Sequence, residues 1–351
     1  MKIIYLNHTP WDWILQRSQI LELELEKEFD CTVLEKKYLF NNEYNIKKNK
    51  QPKRKINIPQ LRGGGKIKII NLLNNRLLWN GIKRYSKDFD VVWICHPSFF
   101  KGISKNFKGK VIYDCMDNYV ELAKAHERAF IEEEQKCLIK RADLIFASSQ
   151  RLIDSIPGMK NAKLVRNGFL PEAPLDIKKN EIKLQYQIGY FGAIESWFDF
   201  DLLLASIYKY DNLEYHLIGP EKKVVKDYFN EKIFLEGIVA HDDLKEFVQD
   251  YDALIMPFII NDIILAVDPV KLYEYICYGK CVISIWYPEI ERFSPYVYFY
   301  HDEKEYLDLL SYLIKTGFAP KYNDEQRKQF LIENSWEERG NRVIQAVRML
   351  N

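Results

Sequence analysis

The chain has 351 residues, 47% of them apolar, with 51 Lys and Arg against 50 Asp and Glu for a net charge of +1. That length suggests two domains or one large one with ample apolar content for a core, and no apolar run reaches the roughly 18 residues of a spanning helix. The start, MKIIYLNHTPWDW, lacks a signal-peptide core, and the six scattered cysteines lack C-x-x-C spacing, so they read as buried thiols of a reducing compartment.

KIIYL (2–6) predicts a strand, 14–28 a helix and CTVLE (31–35) a second strand. A charge anomaly follows. Between Tyr44 and Lys87 there is no carboxylate, while Lys47, Lys53, Arg54, Lys55, Lys66, Lys68, Arg76 and further cations alternate with Ile and Leu. KIKIINLLNNRLLWNGIKRY (66–85) suits a basic amphipathic helix, the pattern of an anionic membrane surface or a lipid-phosphate ligand. A solvated, partly mobile insertion also fits. Nucleic acid is disfavoured because no recognised motif accompanies the charge.

Strands are then expected at VVWIC (91–95), KVIYDCM (110–116), LIFASS (144–149) and KLVRNG (163–168), with a long helix over 121–141. LPEAPLDIKKNEIK has linker composition. The alternation restarts with IGYFGAI (188–194), a helix over 200–208, then EYHLIG (214–219), IFLEG (233–237), ALIMPF (253–258) and CVISI (281–285). Alternating strand and helix in both halves predict an α/β protein of two doubly wound, Rossmann-like domains. The expected division is 1–170, 171–330, and a closing helix in 331–351 that returns toward the first domain. Ligands of such folds sit at the carboxyl ends of strands, so the default site is a cleft between the domains.

The stretch DPVKLYEYICYGKCVIS (268–284) poses a chemical question. Asp268 suits an N-cap, Pro269 the first helical position and Gly279 the stop. The helix between is apolar nearly all round except for Lys271 and Glu274, which share a face. A cation in the first turn opposes the helix dipole, and a bound anion there would remove the conflict. The alternative is that Asp268 caps the end and that Lys271 and Glu274 merely pair.

No G-x-G-x-x-G follows the first strand, and there is no G-x-x-x-x-G-K-[ST] loop or G-x-S-x-G elbow, which lowers dehydrogenase, P-loop kinase and hydrolase readings. The two DFD triplets, Asp88–Asp90 and Asp199–Asp201, read as turn and cap carboxylates, so no metal site is expected.

Taken together, PWDWILQRSQIL, VIYDCMDNY, ADLIFASSQRL, RNGF, IGYFGAIESWFDFDLL, PVKLYEYICYGK and NSWEERGNRVIQAV, in this order, resemble the GT-B glycosyltransferases of group 1 or family 4 type. More narrowly they resemble the bacterial branch that builds teichuronic acid, capsule and other surface polysaccharides. The region 40–88 is not covered. The resemblance implies GT-B architecture, an N-terminal acceptor domain and a C-terminal nucleotide-sugar domain facing a cleft. It also implies a donor that is a nucleoside diphosphate sugar, UDP-linked by preference, and no cofactor or catalytic metal. Glu274 would bind the donor ribose. Lys271 would lie toward the diphosphate, with Gly192, Glu195, Asp268 and Tyr273 also on the donor side. The pattern departs from the family at Ala266, where a Glu is usual, and at Gly192–Trp197, where an Arg and a Lys are usual.

On the acceptor side, Asp117 is the first candidate for a general base, with Asp114 and Glu121 in reserve. His8, Trp11, Arg17 and His96 are candidates to line the acceptor pocket, and Trp11 could stack on a sugar. Arg166 and Asn167 are expected near the domain junction. The expected protein is a cytoplasmic glycosyltransferase, peripheral on the inner face of the cell membrane through 47–87, extending a lipid-linked polysaccharide precursor. A nucleotide-sugar epimerase of the same fold and a non-catalytic glycan- or lipid-binding scaffold are the alternatives.

Overall fold

The computed structural model describes residues 1–11, 16–39, 50–63, 67–169, 175–177, 181–221, 228, 230–240 and 243–350. The chain divides into two compact units, 1–167 with 336–351, and 168–335.

Among the described residues, the first unit is built on a parallel sheet of seven strands. Their spatial order is β3 (Lys55–Gln60), β2 (Asp30–Tyr38), β1 (Lys2–Leu6), β4 (Val91–Ile94), β5 (Lys110–Cys115), β6 (Leu144–Ala147) and β7 (Lys163–Leu164). β4 and β6 are buried at every position, as expected of parallel strands covered by helices on both faces. The helices of this half are α1 (Arg17–Leu25), α2 (Lys68–Tyr85), α3 (Tyr119–Leu122), α4 (Arg128–Arg141) and α5 (Gln150–Ser155).

The second unit repeats the plan. Among the described residues its strands run β10 (Ile233–Gly237), β9 (Leu213–Ile218), β8 (Tyr186–Phe191), β11 (Ala253–Met256), β12 (Cys281–Ile285) and β13 (Tyr298–Tyr300), all parallel. Its helices are α6 (Phe200–Lys209), α7 (Leu244–Val248), α8 (Asp262–Leu265), α9 (Val270–Cys277), α10 (Glu303–Lys315) and α11 (Asp324–Glu333). The last helix, α12 (Trp336–Arg348), belongs to the first unit and lies on α1.

Both sheets therefore have doubly wound order, and in each the chain reverses direction of winding beside its first strand. The two switch points lie between β1 and β4 and between β8 and β11, where the carboxyl ends of neighbouring strands splay apart and open a crevice.

Several expected elements differ in detail. The helix over 121–141 is broken: α3 stops at Ala123, whose backbone is extended, and α4 starts only at Arg128. Helix 14–28 is shorter, Arg17–Leu25, and 12–15 lie outside the described residues. The basic region contributes an edge strand, β3, and α2, whose observed start is Lys68. Asp199 caps α6 by accepting the Leu202 N–H at 3.0 Å, and Asp90 accepts the Lys2 N–H at 2.7 Å, so these triplet carboxylates hold local structure.

Candidate active site

The first switch point carries the two histidines. β1 ends at Leu6, and β4 at Ile94, so His8 and His96 are each two residues past a strand end. Their rings stand 5.5 Å apart, with the Tyr119 ring edge-on to both, at 5.9 Å from His8 and 4.5 Å from His96. Hydrogen bonds set the tautomers. His96 Nδ1 accepts the Ser98 N–H at 3.2 Å and contacts Ser98 Oγ at 2.8 Å, which leaves the proton on Nε2. Thr9 Oγ1 donates to Gln16 and so accepts from His8 Nε2 at 3.4 Å. His8 Nδ1 is then a buried acceptor without a partner among the described residues, and the Tyr119 hydroxyl is likewise unsatisfied among them.

Both imidazoles are held neutral. Burial lowers His8 to about 4, aided by the Lys36 ammonium, and burial with His8 and Lys36 pushes His96 well below its usual value. Lys36, near the carboxyl end of β2, sits 5.2 Å from the Phe99 ring, and its own pKa is lowered by burial. Sequence reasoning passed over Lys36 and Tyr119. The available signal was position: Lys36 stands near the end of a strand adjacent to β1, and Tyr119 opens the helix after β5.

Asp117 lies two residues beyond β5 on the same sheet edge. Its carboxylate makes no hydrogen bond or ion pair among the described residues and keeps some exposure. Burial raises its pKa to about 6, Arg17 working against that rise and Asp114 with it. Glu121 instead pairs with Arg128.

Two acceptor-side expectations are corrected. Trp11 has no exposed surface. Its indole N–H donates to the Lys50 carbonyl at 2.9 Å and its backbone N–H to Glu35 at 3.0 Å, so its ring is core and offers no stacking face. Arg17 is buried at the start of α1. Its guanidinium grips Asp114 at 2.8 and 3.1 Å and the Val165 carbonyl at 2.6 Å, and reaches Asn167 at 3.3 Å. Arg17 and Asp114 are thus mutually engaged supports of the sheet edge. Arg166 is half-buried, and the Asn167 carbonyl accepts from Arg339 on α12 at 3.2 Å.

The second switch point carries Lys271. α9 rises beside the ends of β8 and β11, anchored by Tyr275, whose hydroxyl donates to Ile255 of β11 at 3.3 Å and accepts from Phe191 of β8 at 3.4 Å. Lys271, on the first turn, extends over the Tyr190 and Phe258 rings, 5.8 and 5.9 Å from their centroids. Among the described residues its ammonium makes no hydrogen bond or ion pair. Burial lowers its pKa, and Glu274, three residues on, opposes the shift.

The path of Lys271 depends on Gly192, whose φ is +138°. A Cβ there would lie 2.1 Å from Lys271 Cε. Gly189 has a different reason: a Cβ would lie 2.1 Å from the ring of Tyr251, which precedes β11 and packs directly on the β8 backbone there. Glu195, half-buried after Gly192, adds its negative charge to the surroundings of the Tyr190 hydroxyl.

Asp268 and Tyr273 are corrected. α9 begins at Val270 with Pro269 as its cap, and no side chain caps it. The buried Asp268 carboxylate accepts from the Tyr273 hydroxyl at 3.2 Å and pairs with Arg292, which also donates to that hydroxyl at 2.8 Å. Both side chains are turned into the fold to fix the loop before α9. Ala266, at the C-cap of α8, is buried.

This architecture has clear relatives among solved structures. The galactosyltransferase WaaB of the lipopolysaccharide outer core, in its apo form, matches with a TM-score of 0.66 at 13% identity, covering 99% of both chains. HepE of Anabaena, solved with UDP, matches with a TM-score of 0.67 at 12% identity, over 99% of this chain and 100% of that one. The fold is GT-B. A UDP-N-acetylglucosamine 2-epimerase assignment from Listeria monocytogenes shares it less closely, with a TM-score of 0.56 at 11% identity over 99% and 95% of the two chains. No family model matches the chain. In sequence, a Bacillus subtilis (strain 168) protein with the provisional name teichuronic acid biosynthesis glycosyltransferase TuaH is 25% identical over 244 residues. That match spans 63% of this chain and 62% of the relative, in line with the branch that the GT-B motifs resemble.

Proposed function

We propose that this protein is a glycosyltransferase that moves a sugar from a nucleoside diphosphate, UDP by preference, to a lipid-linked or growing surface-polysaccharide acceptor. The observation that carries the reading is Lys271, a cation that has no ion pair or hydrogen bond among the described residues at the switch point of the second unit, walled by two aromatic rings. An unpaired, partly desolvated ammonium on the first turn of a helix is poised for an anion, because ligand charge would replace the lost hydration. HepE was solved with UDP, and the TuaH name points to teichuronic acid; both support the donor and acceptor class.

In this reading the diphosphate lies against Lys271 and the Gly192 backbone, and Glu274 takes the ribose hydroxyls. Charge that develops on the leaving diphosphate meets the ammonium, so no metal is required. On the first unit, Asp117 accepts the proton of the attacking acceptor hydroxyl. Neutral His96 offers its Nε2–H to an acceptor oxygen, an interaction that needs no change of charge at neutral pH.

A thermal-shift panel with UDP, GDP, ADP, dTDP and CMP, each with chelator and with magnesium, tests the donor site. Ligand at about 100 times its dissociation constant adds roughly 2.7 kcal/mol of stability, enough for a clear shift. The expected result is a shift with one nucleotide, unchanged by chelator and lost in Glu274→Ala and Lys271→Met. No shift with any nucleotide would turn the reading toward a glycan-binding scaffold. Interconversion of a sugar nucleotide without acceptor would identify an epimerase, the activity named for one structural relative.

A further inference from the structure

The helix α2 has one buried face and one open face. Its inner face, Asn74, Leu78 and Ile82, is buried. The Asn74 side chain accepts the Leu61 N–H at 2.7 Å and donates to the Leu61 carbonyl at 2.8 Å, which ties the helix to the end of β3. Trp79 fixes its flank through an indole bond of 3.0 Å to the Ser98 carbonyl. The helix is therefore held in place without its outer face.

That outer face is apolar and open. Ile69, Leu72, Leu73 and Leu77 are 69, 55, 46 and 43% exposed, and at these spacings they form a stripe along the first turns. Single exposed leucines are ordinary, whereas a contiguous stripe on an anchored helix marks an interaction surface.

Charge identifies the occupant. Continuing along the same face, Arg76, Lys83 and Arg84 are exposed, Lys68 flanks the first turn, and the whole stretch from Tyr44 to Lys87 contains no carboxylate. Apolar residues that insert, beside cations that meet headgroups, match the boundary of an anionic bilayer. A protein partner or a second copy would have to be acidic across its whole matching face. Nucleic acid would use the cations and leave the leucines in water.

We infer that the outer face of α2 docks the protein on an anionic membrane surface, with Leu72, Leu73 and Leu77 entering the headgroup boundary and Arg76, Lys83 and Arg84 meeting lipid phosphates. The inference is independent of the donor site, so it stands or falls apart from the reaction assigned above.

Sedimentation with vesicles of phosphatidylglycerol and phosphatidylcholine, against phosphatidylcholine alone, tests it. The full chain should partition at least tenfold better onto the anionic vesicles and be released by high salt. The variant Leu72→Ser/Leu73→Ser/Leu77→Ser should lose at least tenfold in partitioning. So should Arg76→Gln/Lys83→Gln/Arg84→Gln. All these side chains are exposed, so melting temperature and nucleotide shift should stay as in the parent chain. The inference is overturned if the parent ignores anionic vesicles, or if the leucine variant binds them equally well. It is also overturned if the parent forms a dimer in vesicle-free solution that the leucine variant abolishes, which would make the stripe a contact between copies.

Discussion

Gly192 and Lys271 occupy adjoining space that no side chain at position 192 can share. A Cβ on Gly192 would stand 2.1 Å from Lys271 Cε and 2.7 Å from its Nζ, and φ at Gly192 is +138°. The glycine serves both the backbone conformation and the route of the lysine. Because the clash falls on the far end of a flexible side chain, Gly192→Ala displaces the ammonium rather than the fold. Backbone strain of this kind costs about 1–3 kcal/mol. The expected outcome is a modest fall in melting temperature and at least a tenfold weaker binding of UDP, measured by calorimetric titration.

Lys271→Met separates stability from binding. In the free protein the ammonium is partly desolvated among Tyr190, Phe258 and Gly192, with Glu274 favouring its charge. Its lowered pKa means that the folded state binds fewer protons than the unfolded chain between the lowered value and the ordinary 10.5. Stability of the free protein therefore rises with pH through that window. Methionine fills similar volume without charge, so the variant should melt at the same temperature or higher and lose the alkaline rise, while nucleotide binding weakens. A variant that melts lower and binds UDP as well as the parent would remove Lys271 from the donor site.

The inner strands were the most legible in the sequence. VVWI and LIFA are continuous apolar runs because helices cover both sides of the sheet, and CVISI begins and ends where the pattern placed it. Of the edges, IFLEG was placed although it is largely exposed, but two others were not. β3 reads KINIPQ, whose proline and alternating polar residues suit an edge strand and resemble a loop, and the three residues of β13 are too few for a pattern. Side-chain direction was the other limit. Asp268 and Tyr273 are close to Lys271 in sequence, yet Arg292, some twenty residues on, turns both inward. Arg17 and Trp11 follow β1 as His8 does, but their partners Asp114 and Glu35 come from other strands. The gathering of His8, His96 and Tyr119 depends on the order of strands, which alternation alone does not give.

Asp117 predicts a pH profile. With its pKa raised to about 6, it is protonated below that value and cannot accept a proton. The rate constant at saturating donor should fall about tenfold per pH unit below about 6 and level off above it. Asp117→Asn should remove that limb along with most of the activity. Stability runs the other way. The folded state holds the proton more tightly than the unfolded chain between 3.8 and about 6, so stability falls as pH rises through that interval. The Asn variant should therefore melt slightly higher than the parent at pH 7. Retention of activity with an unchanged acid limb would assign the limb to another group.

Arg17 and Asp114 predict a different kind of loss. Both side chains are nearly fully buried, and the guanidinium meets the carboxylate at 2.8, 3.1 and 3.2 Å while holding the Val165 carbonyl. Removing one member of such a pair leaves a buried charge without its counterion, which costs about 3–5 kcal/mol. Arg17→Met should be destabilised by that amount in urea unfolding, and so should Asp114→Leu. The double variant should recover part of the loss, because the uncompensated charge is gone, while the Val165 carbonyl and the Asn167 side chain still lose their donor. Nucleotide affinity of the second unit should not change in any of the three. If instead Arg17→Met kept full stability and lost only acceptor affinity, the guanidinium would be a ligand of the acceptor rather than a support of the sheet edge.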